Sequence, residues 1–341
     1  MKTVKMLEPR KVEVLQNDIP VREKGTALLE ILYGGICGSD LGTYRGNLPY
    51  VSYPRIPGHE FSARVVEADE NEYGIKSGMI VTANPYFNCG KCYSCRRGRV
   101  NCCSHNETMG VQREGGFSNY ITMPLERIYD GKGLDPKLLA MVEPFCISYH
   151  GIKRADVQQG DKVLVVGAGT IGLLAAVSAK MRGAKVYICD VLPEKLEFAK
   201  KFGIDGTICN TSSEAFTEGV RAIVGDDGFD ITVEAVGFPQ TLQNCFDAVC
   251  FGGKVLVIGV GKKNLDFDFT VIQKKELNIL GSRNALKADF EEVIDLLLSG
   301  KIDISPMISR VFPAEQAANA FAYFDQTPDA VKVMIEFKNH S

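Results

Sequence analysis

Along the first 145 positions, apolar residues come in short runs broken by Gly, Pro and charge. "TALLEILYGGIC" (26–37), "FSARVVEA" (61–68), "GMIVTANPYF" (78–87) and "FSNYITMP" (117–124) predict strands separated by turns. The pattern changes near Asp156. "GDKVLVVGAGTIGLLAAVSAKMRGAKVYICDVLPEKLEFAKKFGID" (160–205) predicts strand, Gly-rich turn, apolar helix, second strand and charged amphipathic helix, which is a βαβ unit. The alternation continues through "GFDITVEAVG", a helix over 240–250, "GKVLVIGVG" and "ELNILGSRNA". An amphipathic helix, "KADFEEVIDLLLSGKI", follows. The tail, with "ISRVFPAEQAANAFAYFDQ" and "AVKVMIEF", predicts mixed α/β elements. No repeat or low-complexity linker interrupts the chain. The simplest architecture is α/β: a β-rich domain (1–150 and 286–341) interrupted by a doubly wound parallel-sheet insertion (151–285).

Composition narrows the function classes. The chain has 341 residues, 45% hydrophobic and 24% charged, ordinary for a globular protein. A net charge of -3 lacks the basic footprint of a nucleic-acid binder, so "RRGR" at 96–99 reads as a solvated loop. Charges interrupt the N-terminal stretch, so neither a signal peptide nor an anchor is expected. No run reaches the ~18 apolar residues that a membrane helix needs. A cytoplasmic protein is the expectation. Eleven cysteines in a reducing compartment then argue for thiols and metal over disulfides.

Five of those cysteines fall in "CGKCYSCRRGRVNCC" (89–103). Cys89, Cys92, Cys95 and Cys103 have the spacing C-x2-C-x2-C-x7-C. Four thiolates so spaced can close a tetrahedron around Zn²⁺ with no open position, which makes a structural site. Cys102 is a bystander in this reading. A redox pair fits poorly because no thioredoxin-like βαβ context precedes the motif.

"VLVVGAGTIG" places Gly167, Gly169, Thr170, Ile171 and Gly172 between an apolar strand and a helix. In a G-x-G-x-x-G turn the first glycine allows the tight turn and the second admits a pyrophosphate. The third lets helix and strand pack closely. Asp190, at the end of the second strand, can accept hydrogen bonds from both ribose hydroxyls of NAD and would repel a 2′-phosphate. No Arg follows it in "DVLP", so NAD is expected over NADP.

"GGICGSD" adds Cys37, "YPRIPGHEF" adds His59 and Glu60, and "AMVEPF" adds Glu143. Together with "GGFSNY", the cysteine lobe and "VGAGTIG", in that order, the whole chain resembles the zinc-dependent medium-chain dehydrogenases of the alcohol, sorbitol and threonine dehydrogenase superfamily. The resemblance implies a split GroES-like catalytic domain and an inserted Rossmann domain. It also implies two zinc ions per subunit and NAD. Cys37, His59 and a glutamate, Glu60 or Glu143, would hold the catalytic zinc, and Ser39 matches the hydroxyl that relays the alcohol proton. Ile171, Lys195, Val260 and Arg283 match positions lining the cofactor or active site. Relatives are homo-oligomers, dimers or tetramers, that pair their Rossmann sheets edge to edge, and the strand near "LNILGS" would serve.

"VEPF" and "GSRNA" most resemble the sugar-acid and polyol branch, whose substrates include L-galactonate, L-gulonate, L-idonate and sorbitol. A hexonate carboxylate calls for a cation: Arg283 first, then Arg45 and Arg113. Threonine and 2,3-butanediol are the alternatives within the same chemistry, and a non-catalytic NAD- and zinc-binding sensor is the alternative outside it. Two positions depart from the family pattern. Gly42 stands where a relay histidine is usual, and Gln112 replaces another histidine. Gly42→His is therefore expected to change turnover and its pH profile; kinetics identical to the native enzyme would remove the relay argument.

Overall fold

The computed structural model describes residues 1–261 and 263–337. The chain forms two compact units: Met1–Glu143 with the chain from Leu286 onward, and Pro144–Ala285.

The first unit is organised by strand Thr26–Gly35. Ala27, Leu29 and Ile31 are fully buried, at alternate positions along it. Its sheet runs in the order Ile308–Pro313, Lys332–Glu336, Thr26–Gly35, Glu60–Ala68, Ile80–Ala83 and Ile128–Asp130. Tyr120–Pro124 also pairs with Thr26–Gly35. Only the pair Ile308–Pro313 and Lys332–Glu336 is parallel, with helix Ala317–Gln326 lying between them in sequence. A hairpin, Lys2–Glu8 with Lys11–Gln16, adds Val4 and Met6 to a core that holds Leu29, Ile31, Phe61, Phe117 and Phe321. The expected strand over 78–87 is two pieces, Ile80–Ala83 and Tyr86–Phe87, separated by Asn84 and Pro85. Proline has no N–H to donate to a ladder.

The second unit holds a six-stranded, all-parallel sheet. Its order is Gly206–Cys209, Lys185–Asp190, Lys162–Val166, Phe229–Glu234, Val249–Val257 and Asn278–Gly281. That is the Rossmann order 3-2-1-4-5-6, and the reversal falls beside Lys162–Val166. Leu164, Val166, Phe229, Phe246 and Val255 lie in one buried cluster of this unit. The helix expected over 240–250 is Pro239–Ala248, and its following strand begins directly at Val249. Among the described residues no helix is long and apolar enough to cross a membrane.

Asp325, near the end of helix Ala317–Gln326, accepts from Arg45 Nε at 2.5 Å and from Arg10 Nη1 at 3.1 Å. The Arg45 hydrogen bond holds its carboxyl below the usual range, against a smaller opposing effect of burial. A depressed folded pKa stabilises the protein at neutral pH, and that contribution is lost as pH falls through the folded value. Asp325→Asn is expected to cost ~1 kcal/mol at pH 7, the arginines being solvent-exposed. Urea midpoints should show the deficit closing as pH falls below about 4.

Candidate functional site

Cys37 follows strand Thr26–Gly35 and caps the N-terminus of helix Gly38–Tyr44. His59 precedes strand Glu60–Ala68, which Glu60 opens. One buried side chain ties the two segments together. Asp40 accepts from Cys37 N–H (Oδ2, 2.9 Å) and from Gly58 N–H (Oδ1, 3.2 Å). Gly58 has φ +98°, and a Cβ there would lie 2.2 Å from Phe117, so only glycine fits the turn that delivers His59. Burial pushes the Asp40 carboxyl up, while His59 and the two backbone donors pull it down.

The ligand atoms of Cys37, His59 and Glu60 all lie within 4.8 Å of one another. His59 and Glu60 are buried, and His59 Nδ1 and Glu60 Oε1 have no hydrogen-bond partner. Unpartnered polar atoms are costly inside a protein. A dication would satisfy both, and sulfur, imidazole and carboxylate form a donor set that zinc accepts. This is a catalytic zinc site. Burial opposes a charged His59, but Cys37, Asp40 and Glu143 outweigh it and hold its pKa well above the ordinary value.

Two residues that the motifs did not announce complete the surroundings. Lys332, fully buried in strand Lys332–Glu336, donates to Glu60 Oε2 at 2.5 Å and to the Ile36 carbonyl at 3.2 Å. Burial pushes its pKa down, and the charge and hydrogen bond of Glu60, together with Cys37 and Glu143, more than restore it. Tyr86 donates its hydroxyl to Glu143 Oε1. Burial pushes the Glu143 carboxyl up to about 7 and Glu60 adds to the rise, while His59, Tyr86 and Lys332 oppose it. Glu143 lies in the first turn of helix Val142–Arg154, outside the three-residue cluster. A lysine in the apolar run "AVKVMIEF" was a legible signal; a tyrosine in a strand was not.

Ser39 is half-buried in the first turn of helix Gly38–Tyr44, and its carbonyl accepts from Thr43 Oγ1 at 3.1 Å. Gly42 lies on the same helix, where a Cβ would meet only Leu48, at 3.6 Å or more, so a larger residue has room. Gln112 Oε1 accepts from Thr108 N–H at 2.9 Å, a local turn contact. Arg45 is engaged by Asp325. Arg113 is 3.4 Å from Glu107 and lies 3.9 Å over the Phe87 ring.

Cys89, Cys92, Cys95 and Cys103 form a second cluster within the same 4.8 Å limit. Cys92 caps the short helix Tyr93–Arg96, and backbone N–H groups of Cys92 and Cys89 point at Cys89 Sγ (3.4 Å) and Cys103 Sγ (3.2 Å). A backbone hydrogen bond from Cys95 leads the effects that lower the Cys92 thiol to about 5. Thiolates surrounded by amide donors suit a closed structural zinc site. Cys102 is exposed, and none of the eleven cysteines is in a disulfide.

In the second unit the glycines of the turn differ in what constrains them. Gly167 has φ +106°. A Cβ at Gly172 would lie 1.7 Å from the Gly167 carbonyl oxygen, so the fold itself requires glycine there. A Cβ at Gly169 would meet nothing within 4 Å. That open side, at the N-terminus of helix Thr170–Met181 where no side chain caps the helix, suits a pyrophosphate. Thr170 and Ile171 open this helix, and the Ile171 carbonyl accepts from Ser148 Oγ at 2.8 Å. Asp190 accepts from Ala168 N–H (2.8 Å) and Leu192 N–H (3.0 Å), which docks it against the glycine turn. Lys195 is half-buried in helix Pro193–Ala199, whereas Val260 and Arg283 are exposed.

Residues 23–132 match the alcohol dehydrogenase GroES-like domain, and residues 170–299 match the zinc-binding dehydrogenase family. The chain is 36% identical to the L-galactonate-5-dehydrogenase of Escherichia coli K12 over 92% of both chains. It is 32% identical to the sorbitol dehydrogenase of Halalkalibacterium halodurans over 93% of both. A dehydrogenase of Escherichia coli CFT073, solved with NADH, superimposes with a TM-score of 0.90 at 30% identity over 99% of each chain. Cys95→Ser is expected to remove one of two zinc equivalents per chain and to lower the thermal midpoint by more than about 5 °C. Unchanged metal content by elemental analysis would contradict the closed-site assignment.

Proposed function

Because the chain belongs to the zinc-dependent medium-chain dehydrogenase/reductase family, an oxidoreductase family acting on CH–OH groups, we propose that it oxidises a secondary alcohol of a hexonate to the ketone with NAD. The likeness to an L-galactonate-5-dehydrogenase over nearly the full length of both chains carries this reading. L-Galactonate, L-gulonate and L-idonate are the substrates proposed.

Cys37, His59 and Glu60 would hold a zinc ion, which when bound would supply Lewis acidity toward the substrate hydroxyl. Ser39 relays the proton that leaves the hydroxyl, accepting it at Oγ while its own hydroxyl proton passes on to water or the cofactor ribose, and Asp40 keeps the Cys37 and His59 segments in register. Arg283, the first cation candidate of the sequence, is the residue proposed to meet the substrate carboxylate. The Gly167–Gly172 turn receives the NAD pyrophosphate. Asp190 takes the ribose hydroxyls, and its charge, with Val191, Leu192 and Pro193 following it, disfavours a 2′-phosphate. The NADH found in the Escherichia coli CFT073 relative supports this cofactor.

A second reading, oxidation of a polyol, is favoured by the identity with a sorbitol dehydrogenase. NAD reduction by the zinc-loaded protein on L-galactonate, L-gulonate, L-idonate, sorbitol, galactitol, L-threonine and 2,3-butanediol separates the two. Turnover on a hexonate with the matching polyol inactive is expected. Turnover on polyols or threonine alone would discard the carboxylate argument and keep the metal chemistry. Silence on the whole panel, with both zinc ions present, would favour a sensor.

A further inference from the structure

Tyr86 connects the two metal centres. Its side chain reaches Glu143, beside the Cys37–His59–Glu60 cluster, and its backbone belongs to the segment leading into the cysteine lobe. That segment is firmly held. Tyr86 N–H donates to Asn84 Oδ1 at 2.9 Å, and Tyr86 pairs with Thr108 across a two-stranded ladder. Arg127 donates through Nη1 to the Tyr86 carbonyl and through Nη2 to Asn88 Oδ1 at 3.0 Å. Its guanidinium also lies 4.5 Å over the Phe87 ring. Asn88 Nδ2 is in turn 3.9 Å from Cys95 Sγ. One planar guanidinium therefore fixes residues 86 and 88 together.

Two buried carboxylates compete for the catalytic cluster, and each has its own donor. Lys332 holds one oxygen of Glu60 and leaves Oε1 unpartnered. Tyr86 holds Oε1 of Glu143, which stays outside the cluster. The donors differ in charge. Lys332 offsets the negative charge that Glu60 brings, whereas a neutral phenol orients Glu143 without neutralising it. The geometry points to Tyr86 as a positioning residue that keeps Glu143 in an outer place. Arg127 and Asn88 make that placement depend on the four-cysteine lobe. On this account the lobe acts on the catalytic centre as well as stabilising its own loop. The inference rests on the zinc reading of the Cys37 cluster and is independent of the substrate.

The test uses the full-length protein with cobalt(II) exchanged into the catalytic site and zinc retained in the lobe, verified by metal analysis. The visible d–d bands report the ligand set. Glu143→Gln should leave the bands where they are in the native protein. Tyr86→Phe should shift them, and the shift should vanish in Tyr86→Phe/Glu143→Gln, because the released carboxylate causes it. Arg127→Met should reproduce the Tyr86→Phe shift. An unshifted Tyr86→Phe spectrum, or a shift that survives in the double variant, overturns the clamp. So does a Glu143→Gln spectrum that already differs from the native one, and this variant leaves the Arg127 contacts intact if the others fail to fold. A shift with Tyr86→Phe but none with Arg127→Met overturns the link to the lobe. Failure of cobalt to enter the Cys37 cluster at all would instead overturn the zinc reading beneath it.

Discussion

The contact between Lys332 and Glu60 is the constraint on which the catalytic cluster depends. Glu60 pairs with Gly35 on the neighbouring strand, and Gly35 pairs with Met334 on the next one. The Glu60 carboxylate crosses above Gly35 to reach Lys332, and a Cβ on Gly35 would lie 2.3 Å from Glu60 Oε2. Three strands distant in sequence thus meet in one ion pair. Breaking a fully buried pair by removing one partner typically costs about 3–5 kcal/mol, because the remaining charge is stranded. Lys332, on strand Lys332–Glu336, thus holds Oε2 of Glu60 and leaves Oε1 unpartnered.

Asp40 performs the matching task for the other two ligands. Its two oxygens each hold a backbone N–H, one at Cys37 and one at Gly58, the residue before His59. Rigid backbone anchoring of this kind sets ligand separation without spending the ligands' own side-chain atoms. Glu60, Asp40 and Glu143 are buried near His59, with Cys37 beside them and Lys332 the cation facing Glu60. Such an excess of anionic groups is stable inside a protein only with cations or protons to answer it. The Cys89–Cys103 lobe solves a related problem differently, by surrounding sulfur with backbone N–H donors in a loop that contributes few residues to the apolar core.

Much of this molecule is local, and local features are written in sequence. The strand–turn–helix at 162–181 follows from an apolar run, three glycines and a helix-forming stretch. The cysteine spacing likewise specifies a closed four-sulfur cluster, because all four ligands sit within fifteen residues. Cys37, His59 and Glu60 were identifiable as residue types able to bind zinc, each at the edge of a predicted strand. The chain's own pattern also implied the β-rich domain and the doubly wound insertion, because period-2 runs and strand–helix alternation record burial directly.

What the sequence could not decide depends on residues brought together from afar. Glu60, not Glu143, has its ligand atom in the cluster with Cys37 and His59, and the two carboxylates have different distant donors. Lys332 lies 272 positions from Glu60, and Tyr86 lies 57 from Glu143. Arg45 and Arg113 matched a substrate clamp in composition, yet Asp325, 280 residues from Arg45, and Glu107 occupy them. Spacing along the chain marked the cysteine lobe and the nucleotide turn, and residue types together with the family resemblance marked the candidate catalytic ligands. Only the tertiary structure decided how the buried charges are paired, because pairing is a property of distance in space and burial removes the water that would otherwise answer each charge alone.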